Sequence, residues 1–267
     1  MKKIFFLVLA CGFLTMVCNC NGKKDPNAFE VNTITVEDSI QFPSEAMEEW
    51  MFDDMAYYLG VVDAPVTNNE DLRDNIIAWI SGFLSENYDG DSQDVKAMVE
   101  YEKEEFLDSV NGSPESRLQH FITLEENNDR YVTYLCDNYL YTGGIHGTSY
   151  KAGATFHKKT GERFSYQMLK NPFGLCDMLR DAVEQQYFSS LLEGSDVAFE
   201  ESLHEEVAED FPLPTTDPWI LNDSVFFVYE AYEIAPYAYG MPGCGLPLSS
   251  MKDFLTDEGK AFFQMVK

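Results

Sequence analysis

Basic residues are scarce in this chain of 267 residues: 18 lysines and arginines stand against 46 aspartates and glutamates. A surface of that sign repels nucleic acid and anionic headgroups, which excludes phosphate-backbone binding as a function class. It attracts basic partners and speeds encounter with them at low salt. Solubility at a crowded cell surface is the plainer account of the same charge. Long apolar runs are also missing. The run at residues 4–17 falls short of the ~20 residues that cross a bilayer as a helix. The chain has no Gly-x-Ser-x-Gly elbow, no phosphate-cradling glycine loop behind a strand, and no Cys-x-x-Cys pair past its first two dozen residues. Beyond that point only Cys136, Cys176 and Cys244 remain. An odd number leaves at least one thiol unpaired within the chain. Three buried thiols are expected rather than a disulfide framework, and the chain is long enough to bury a core without cross-links.

What is present begins with a targeting segment. Lys2 and Lys3 precede the short apolar run, Cys11, Cys18 and Cys20 fall in or just after it, and polar residues 21–24 come next. Residues 1–20 read as a signal peptide with a lipobox-like end, and residues 21–29 as a polar tether. Cys20 or Cys18 is the lipidation candidate. Cys18 follows Val17 and Cys20 follows Asn19, where a small residue is usual. An acylated cysteine would hold the protein to a membrane by lipid alone. Export would place the domain in an oxidising compartment. Loss of Lys2 and Lys3 takes the formal net charge from −28 to −30.

Periodicity then organises the chain. Residues 31–42 alternate apolar and polar, as a strand does. Pro43-Ser44 predicts a short helix over residues 45–58. Asn69 caps a helical pattern of Leu72, Ile76, Ile77, Trp79, Ile80, Phe83 and Leu84, with acids in the first turn. A second helix is predicted over residues 93–110, with a glutamate-rich outer face. Residues 118–126, 130–142 and 146–157 read as three strands, and residues 158–161 turn into a fourth at 162–166, giving an antiparallel meander. Pro172 starts a helix through about residue 192. An acidic helix at 201–209, a hairpin turning at Asn222-Asp223, an irregular stretch at 237–245, a short edge strand at 246–248 and a serine-capped helix at 249–255 complete the pattern. Helix pairs with antiparallel sheet meanders predict an α+β fold. Residues 30–267 form one unit in this reading, with lobes 30–112 and 113–267 as a possible subdivision.

The richest segment is Tyr141-Thr142-Gly143-Gly144-Ile145-His146-Gly147. A glycine pair breaks an aromatic strand where backbone takes positive φ or approaches another group closely. Thr142 and His146 have the chemistry of a nucleophile–base pair, but a histidine bonded to backbone and pinning the loop is the favoured account. His204-Glu205-Glu206-Val207-Ala208 starts like a zinc-protease helix, but alanine holds the place of its second histidine. His146 and His157 could converge on a metal only with a carboxylate beside them. No catalytic residue, no metal and no cofactor is expected.

Four segments resemble one family. Residues 141–147 are similar to the Tyr-Thr-Gly-Gly-Ala-His signature of the RsiV-like domain, the extracellular part of a lysozyme-responsive anti-sigma factor that also occurs beside peptidoglycan deacetylase modules. Phe156-His157-Lys158-Lys159-Thr160-Gly161-Glu162-Arg163 resembles its Phe-Asp-x-x-Thr-Gly-Lys hairpin. Residues 226–240, with Tyr232-Glu233-Ile234-Ala235-Pro236-Tyr237-Ala238-Tyr239-Gly240 at their centre, resemble its Tyr-Glu-Ile-Ala-Pro-Tyr-Ala-x-Gly run. Leu246-Pro247-Leu248-Ser249 stands where the family has Ile-Pro-Tyr-Ser. His157 replaces the usual Asp, and Ala231 the usual Pro. The resemblance covers roughly residues 130–255.

The resemblance implies a non-enzymatic envelope domain, here as a Bacteroides-type lipoprotein, periplasmic or cell-surface. Its candidate binding residues are Tyr141, Thr142, Gly143, Gly144, His146, Gly147, Tyr232, Glu233, Pro236 and Tyr237. No stretch has the length of a transmembrane helix and no sigma-binding region is recognised, so binding is the activity expected to persist. The implied partner is a basic protein such as lysozyme, or a peptidoglycan fragment. Membrane contact is expected through a lipid anchor alone, and nucleic acid is not a partner. A glycan- or peptidoglycan-acting enzyme and a purely structural envelope protein are the alternatives.

Overall fold

The computed structural model describes residues 28–42, 55–110 and 115–263. Two sheets and a set of helices make an α+β fold. Strand β1 (Phe29–Gln41) pairs antiparallel with β2 (Met55–Thr67) along thirteen unbroken positions. Helices α1 (Glu70–Ser81) and α2 (Val95–Ser109) come next, then β3 (Arg117–Asn127), β4 (Tyr131–Tyr141) and β5 (Thr148–His157). The order in the first sheet is β1-β2-β3-β4-β5.

One expectation fails in this region. Residues 55–58, expected to be helical, open strand β2; the rest of that expected helix lies outside the described residues. The expected meander is antiparallel from β3 through β5, and it joins the hairpin of β1 and β2 through a parallel pair, because β3 lies parallel to β2. The helix pair explains this. α1 and α2 carry the chain back to the end from which β2 started, so β3 must run in the same direction, as crossover connections do.

Both helices form for reasons visible in their first turns. The Asn69 side chain accepts from the Leu72 amide at 3.3 Å, and Asp94 caps α2 by accepting from the Ala97 amide at 3.0 Å. Asn69 also donates to the Lys158 carbonyl at 2.8 Å, and Asn75 to the Gly161 carbonyl at 3.0 Å. The turn after β5 is therefore bolted to the start of α1. Gly161 has φ +72°, and a Cβ there would lie 2.8 Å from the Asp71 carbonyl carbon, so both conformation and space call for glycine. The fourth meander strand reduces to a single bridge between Phe156 and Arg163.

The C-terminal part begins with a 3₁₀ turn at Pro172–Leu175 and helix α3 (Cys176–Val183), which passes through a π-helical segment, Glu184–Phe188, into α4 (Ser189–Leu191). The expected acidic helix is two short ones, α5 (Phe199–Ser202) and α6 (Glu205–Glu209). Strands β6 (Trp219–Leu221), β7 (Ser224–Val228) and β8 (Gly243–Pro247) form an antiparallel sheet. Its hairpin turns on Asn222 and Asp223, with φ +51° and +57°, the two left-handed residues of a tight turn that matches strand twist. β8 starts earlier than the sequence pattern suggests. Helix α7 (Leu248–Met251) begins at Pro247 without a serine cap, and α8 (Asp257–Phe262) is capped by the Thr256 hydroxyl.

Two apolar clusters result. One lies between α1, α2 and the large sheet, with Tyr58, Val62, Ile76, Ile80, Val99, Ile122 and Tyr134 at its centre. The other gathers Leu179, Phe188, Ile220, Phe227, Tyr229, Met251 and Phe263 under the small sheet. They meet across β4, whose residues 131–134 are buried on both faces. Val132 and Tyr134 face the helices; Tyr131 joins the second cluster. Thr133 faces the same way as Tyr131 and donates to the Ile220 carbonyl at 2.7 Å, while the Thr155 hydroxyl accepts from the Ile220 amide at 2.8 Å. Trp219 lies on Gly153, where any Cβ would come within 2.2 Å of the indole.

Candidate binding site

The segment after β4 and the segment after β7 lie far apart in sequence and interlock in space. β4 ends at Tyr141. Gly143 and Gly144 then adopt φ +101° and +99° with open space around both, so backbone shape rather than crowding selects glycine. The Tyr141 hydroxyl donates to the Gly144 carbonyl at 3.0 Å. This closes a tight loop whose tip, Ile145, is fully exposed at 101 %. Thr142 is exposed beside it.

His146 turns back from the tip and stacks on Tyr237, with ring centroids 3.8 Å apart and planes 17° from parallel. Its Nδ1 lies 2.9 Å from the Gly147 carbonyl, and its Nε2 3.3 Å from the Tyr232 hydroxyl. A carbonyl only accepts, so Nδ1 donates to it, and in the neutral ring Nε2 accepts from Tyr232. The Tyr237 hydroxyl donates to the same Gly147 carbonyl at 2.6 Å. Gly147 itself is pressed against the Tyr139 ring, 2.5 Å from where a Cβ would sit.

The second segment is rigid for its own reasons. Glu233 accepts from the Thr215 amide and from the Glu230 amide, each at 2.7 Å. Burial, and then the Glu233 charge, raise the Glu230 carboxyl above its usual range. Ile234 and Ala235 are buried. Pro236 opens a 3₁₀ turn, Tyr237–Tyr239, which ends at Gly240 with φ +70°. Tyr187, from the π-helical segment, donates to the Tyr239 carbonyl at 2.8 Å. Tyr232 is 56 % exposed and has φ +71°, a conformation that costs a non-glycine residue energy and persists only where surroundings enforce it. His204 supplies that enforcement: its Nε2 lies 3.1 Å from the Tyr232 carbonyl and its amide donates to the Ile234 carbonyl at 3.0 Å.

All ten sequence-predicted binding residues thus fall within these two segments. His146, Gly147, Tyr232 and Tyr237 meet directly, and Tyr141 closes the first loop on Gly144. Glu233 and Pro236 shape the second loop from behind. Both ring nitrogens of His146 are engaged, and neither partner is Thr142. His157 lies at the far end of β5, about 30 Å away along the strand. Its Nδ1 lies 3.3 Å from the Thr160 hydroxyl, and its ring meets Phe262 edge-on. Burial lowers its pKa. Among the described residues no group of three or more His, Cys, Asp or Glu is placed to hold a metal ion.

Sequence reasoning misses His204, Tyr139, Tyr187 and Ile145 as parts of this site. His204 reads in sequence only as a failed zinc motif, and its contact with Tyr232 has no local signature. Next to the cluster, an open groove of about 370 Å³ is lined by Glu115, Arg117, Tyr139, Tyr141, Ile145 and His146. Elsewhere, the three cysteines are free thiols. Burial pushes Cys244 up to about 12 and Cys136 further, so neither is a ready nucleophile. No helix of the described residues is long and apolar enough to cross a membrane.

No family model matches this sequence, and no curated protein matches it. Among solved structures, one similar fold is a member of the DUF3298 family from Bacteroides fragilis, with a TM-score of 0.61 at 18% identity over 91% of this chain and 99% of that one. A DUF3298 family protein from Pseudomonas aeruginosa gives a TM-score of 0.57 at 18% identity, over 85% of this chain and 95% of that one. At such identities the likeness establishes a shared fold, and that fold is the one found in these two DUF3298 proteins.

Proposed function

We propose that this is a non-enzymatic binding domain of the cell envelope, anchored by lipid on Cys20 or Cys18, that grips a basic wall-active protein such as lysozyme through the interlocked loops at 141–147 and 230–240. The observation that carries this reading is the pairing of a braced backbone with exposed apolar tips. Ile145 and Tyr232 project outward while His146, Tyr237 and His204 hold their backbones in place. Rigid, partly exposed aromatics are what dominate the energetics of protein interfaces. The acidic balance of the chain suits a basic partner and would steer its approach. DUF3298 is related to RsiV-like domains, which agrees with the resemblance of the two loops.

The test is calorimetry of the full chain against a basic muramidase at low and at physiological ionic strength. Association that weakens with salt, and drops at least tenfold in Ile145→Asp and in Tyr232→Ala, is the expected result. No heat of binding at low salt overturns the lysozyme reading. Binding that both variants leave intact removes the loops as its site.

A further inference from the structure

The edges of the two sheets are finished differently. In the small sheet, the main chain of Ile220 on β6 is met by Thr133 and Thr155. Gly245 on β8 is met on both sides of its peptide by Gln186, whose Oε1 accepts from the Gly245 amide at 2.9 Å and whose Nε2 donates to the Gly245 carbonyl at 3.0 Å. The end of β5 is closed by residues 162–164: His157 donates to the Glu162 carbonyl, and Phe164 to the Thr155 carbonyl.

β1 has no such finish. It is the outer strand of the large sheet, thirteen residues long, and nine of those residues are exposed. Its inner side is fully paired with β2. On its outer side, among the described residues, side chains reach the main chain only at the two ends: Asn127 donates to the Phe29 carbonyl at 3.2 Å, and Asp38 accepts from the Ser39 amide at 2.8 Å. Between them, residues 30–38 present main-chain donors and acceptors on that side to which no described residue bonds. Several of the usual defences of an edge are missing as well. The strand contains no proline, no lysine and no arginine, and its register with β2 carries no bulge.

We propose that the outer edge of β1, residues 30–38, is a docking edge that takes an extended, lysine- or arginine-bearing segment of a partner protein as an added sixth strand. Main-chain pairing of this kind supplies affinity, and alternate side chains supply selection. The charge on the strand chooses the occupant. Glu30, Glu37 and Asp38 lie on it with no basic residue among them. Among the described residues, only Lys103 on α2 reaches in, 3.6 Å from Asp38. A second copy of β1 would bring acids against acids, which disfavours cross-strand pairs, whereas a basic segment places opposite charges across the new ladder. The exposed Thr33 and Thr35 between the acids are β-branched, as a pairing strand favours. This edge is separate from the loops at 141–147 and 230–240, so it stands or falls independently of them.

The experiment titrates the full chain with a nine-residue capped peptide alternating lysine with valine or threonine, and follows amide hydrogen exchange along β1. Protection of amides within residues 30–38 should rise at least tenfold. It should vanish with a peptide N-methylated at every second residue in one of the two phases, because that phase removes the donors facing β1. Glu30→Lys/Glu37→Lys should weaken binding at least tenfold while leaving thermal unfolding of the free chain within a few degrees. Absence of protection in residues 30–38, or equal binding of both N-methylated peptides, overturns the proposal. Concentration-dependent self-association that protects the same amides without peptide overturns it in favour of a second copy.

Discussion

The large sheet and the small sheet achieve order by opposite means. The large one relies on length: strands of 10 to 13 residues, covered on one face by two capped helices. The small one has strands of three to five residues, too short to be stable as an isolated unit. It borrows what it lacks from elsewhere, with threonines of β4 and β5 on one edge, Gln186 on the other, and Trp219 seated on Gly153. Local pattern is enough to build the first sheet. The second depends on individual side chains distant in sequence, and the loop carrying Tyr232 inherits that dependence.

The largest loss of stability is expected inside the large sheet's core. Glu102 and His120 are both buried, 3.2 Å apart, and the Tyr58 hydroxyl donates to Glu102 at 2.9 Å. His120→Ala leaves the buried Glu102 carboxylate with the Tyr58 hydroxyl as its remaining partner and should cost about 3 kcal/mol, read from the midpoint of urea unfolding. Glu102→Leu/His120→Leu should recover most of that loss. If the double variant is no better than the single, the pair is not the source of the cost. Gly153→Ala comes next, at about 2 kcal/mol from overpacking against Trp219. Near-ultraviolet circular dichroism should report the displaced tryptophan, and an unchanged spectrum would show that the sheets do not meet as described.

Smaller effects sharpen the contrast. Thr155→Val leaves the buried Ile220 amide without an acceptor and should cost about 1–2 kcal/mol. Faster hydrogen exchange should be confined to the small sheet, and exchange that spreads evenly over both sheets would contradict the division of roles. The smallest effect has the opposite sign. The Glu230 carboxyl is raised in the folded state, so the folded chain holds its proton more tightly than the unfolded chain does. Stability from this group is present at low pH and lost as pH rises through the folded value. At neutral pH, Glu230→Gln should therefore stabilise, by less than about 1 kcal/mol because the group is only partly buried. Its advantage should shrink on acidification, and a constant difference across pH would sink the assignment.

The sequence is most readable where one residue acts on its near neighbours. The Asn69 cap, the spacing of Leu72, Ile76 and Ile80, and the Asn222-Asp223 turn all act within four residues, and each is found where expected. β2 is hidden because Tyr57-Tyr58-Leu59-Gly60-Val61-Val62 is nearly continuous in apolar character, and no alternation marks a strand whose one face is wholly buried and whose other is half-covered. Parallel pairing with β3 leaves no local mark at all. The ten binding candidates emerge as motif members, but their mutual contacts do not. Stacking of His146 on Tyr237 spans ninety-one positions, and the left-handed backbone of Tyr232 is set by His204, twenty-eight positions earlier.

The π-helical segment Glu184–Phe188 gives the chain an unusual sensitivity to insertion and deletion. A π turn accommodates one residue more than an α turn does. Removing a single residue there would let the helix run on as α, with the residues beyond it in their old phase but those inside the segment stripped of their bulged placement. Gln186 and Tyr187 would then leave Gly245 and Tyr239 in one step, uncapping the edge of β8 and releasing the end of the Tyr232 loop. A frame-preserving loss of one codon in a surface helix, ordinarily a mild event, would here act on two regions at once. Related chains that keep this loop are expected to keep the helix length that precedes it, whatever residues fill it.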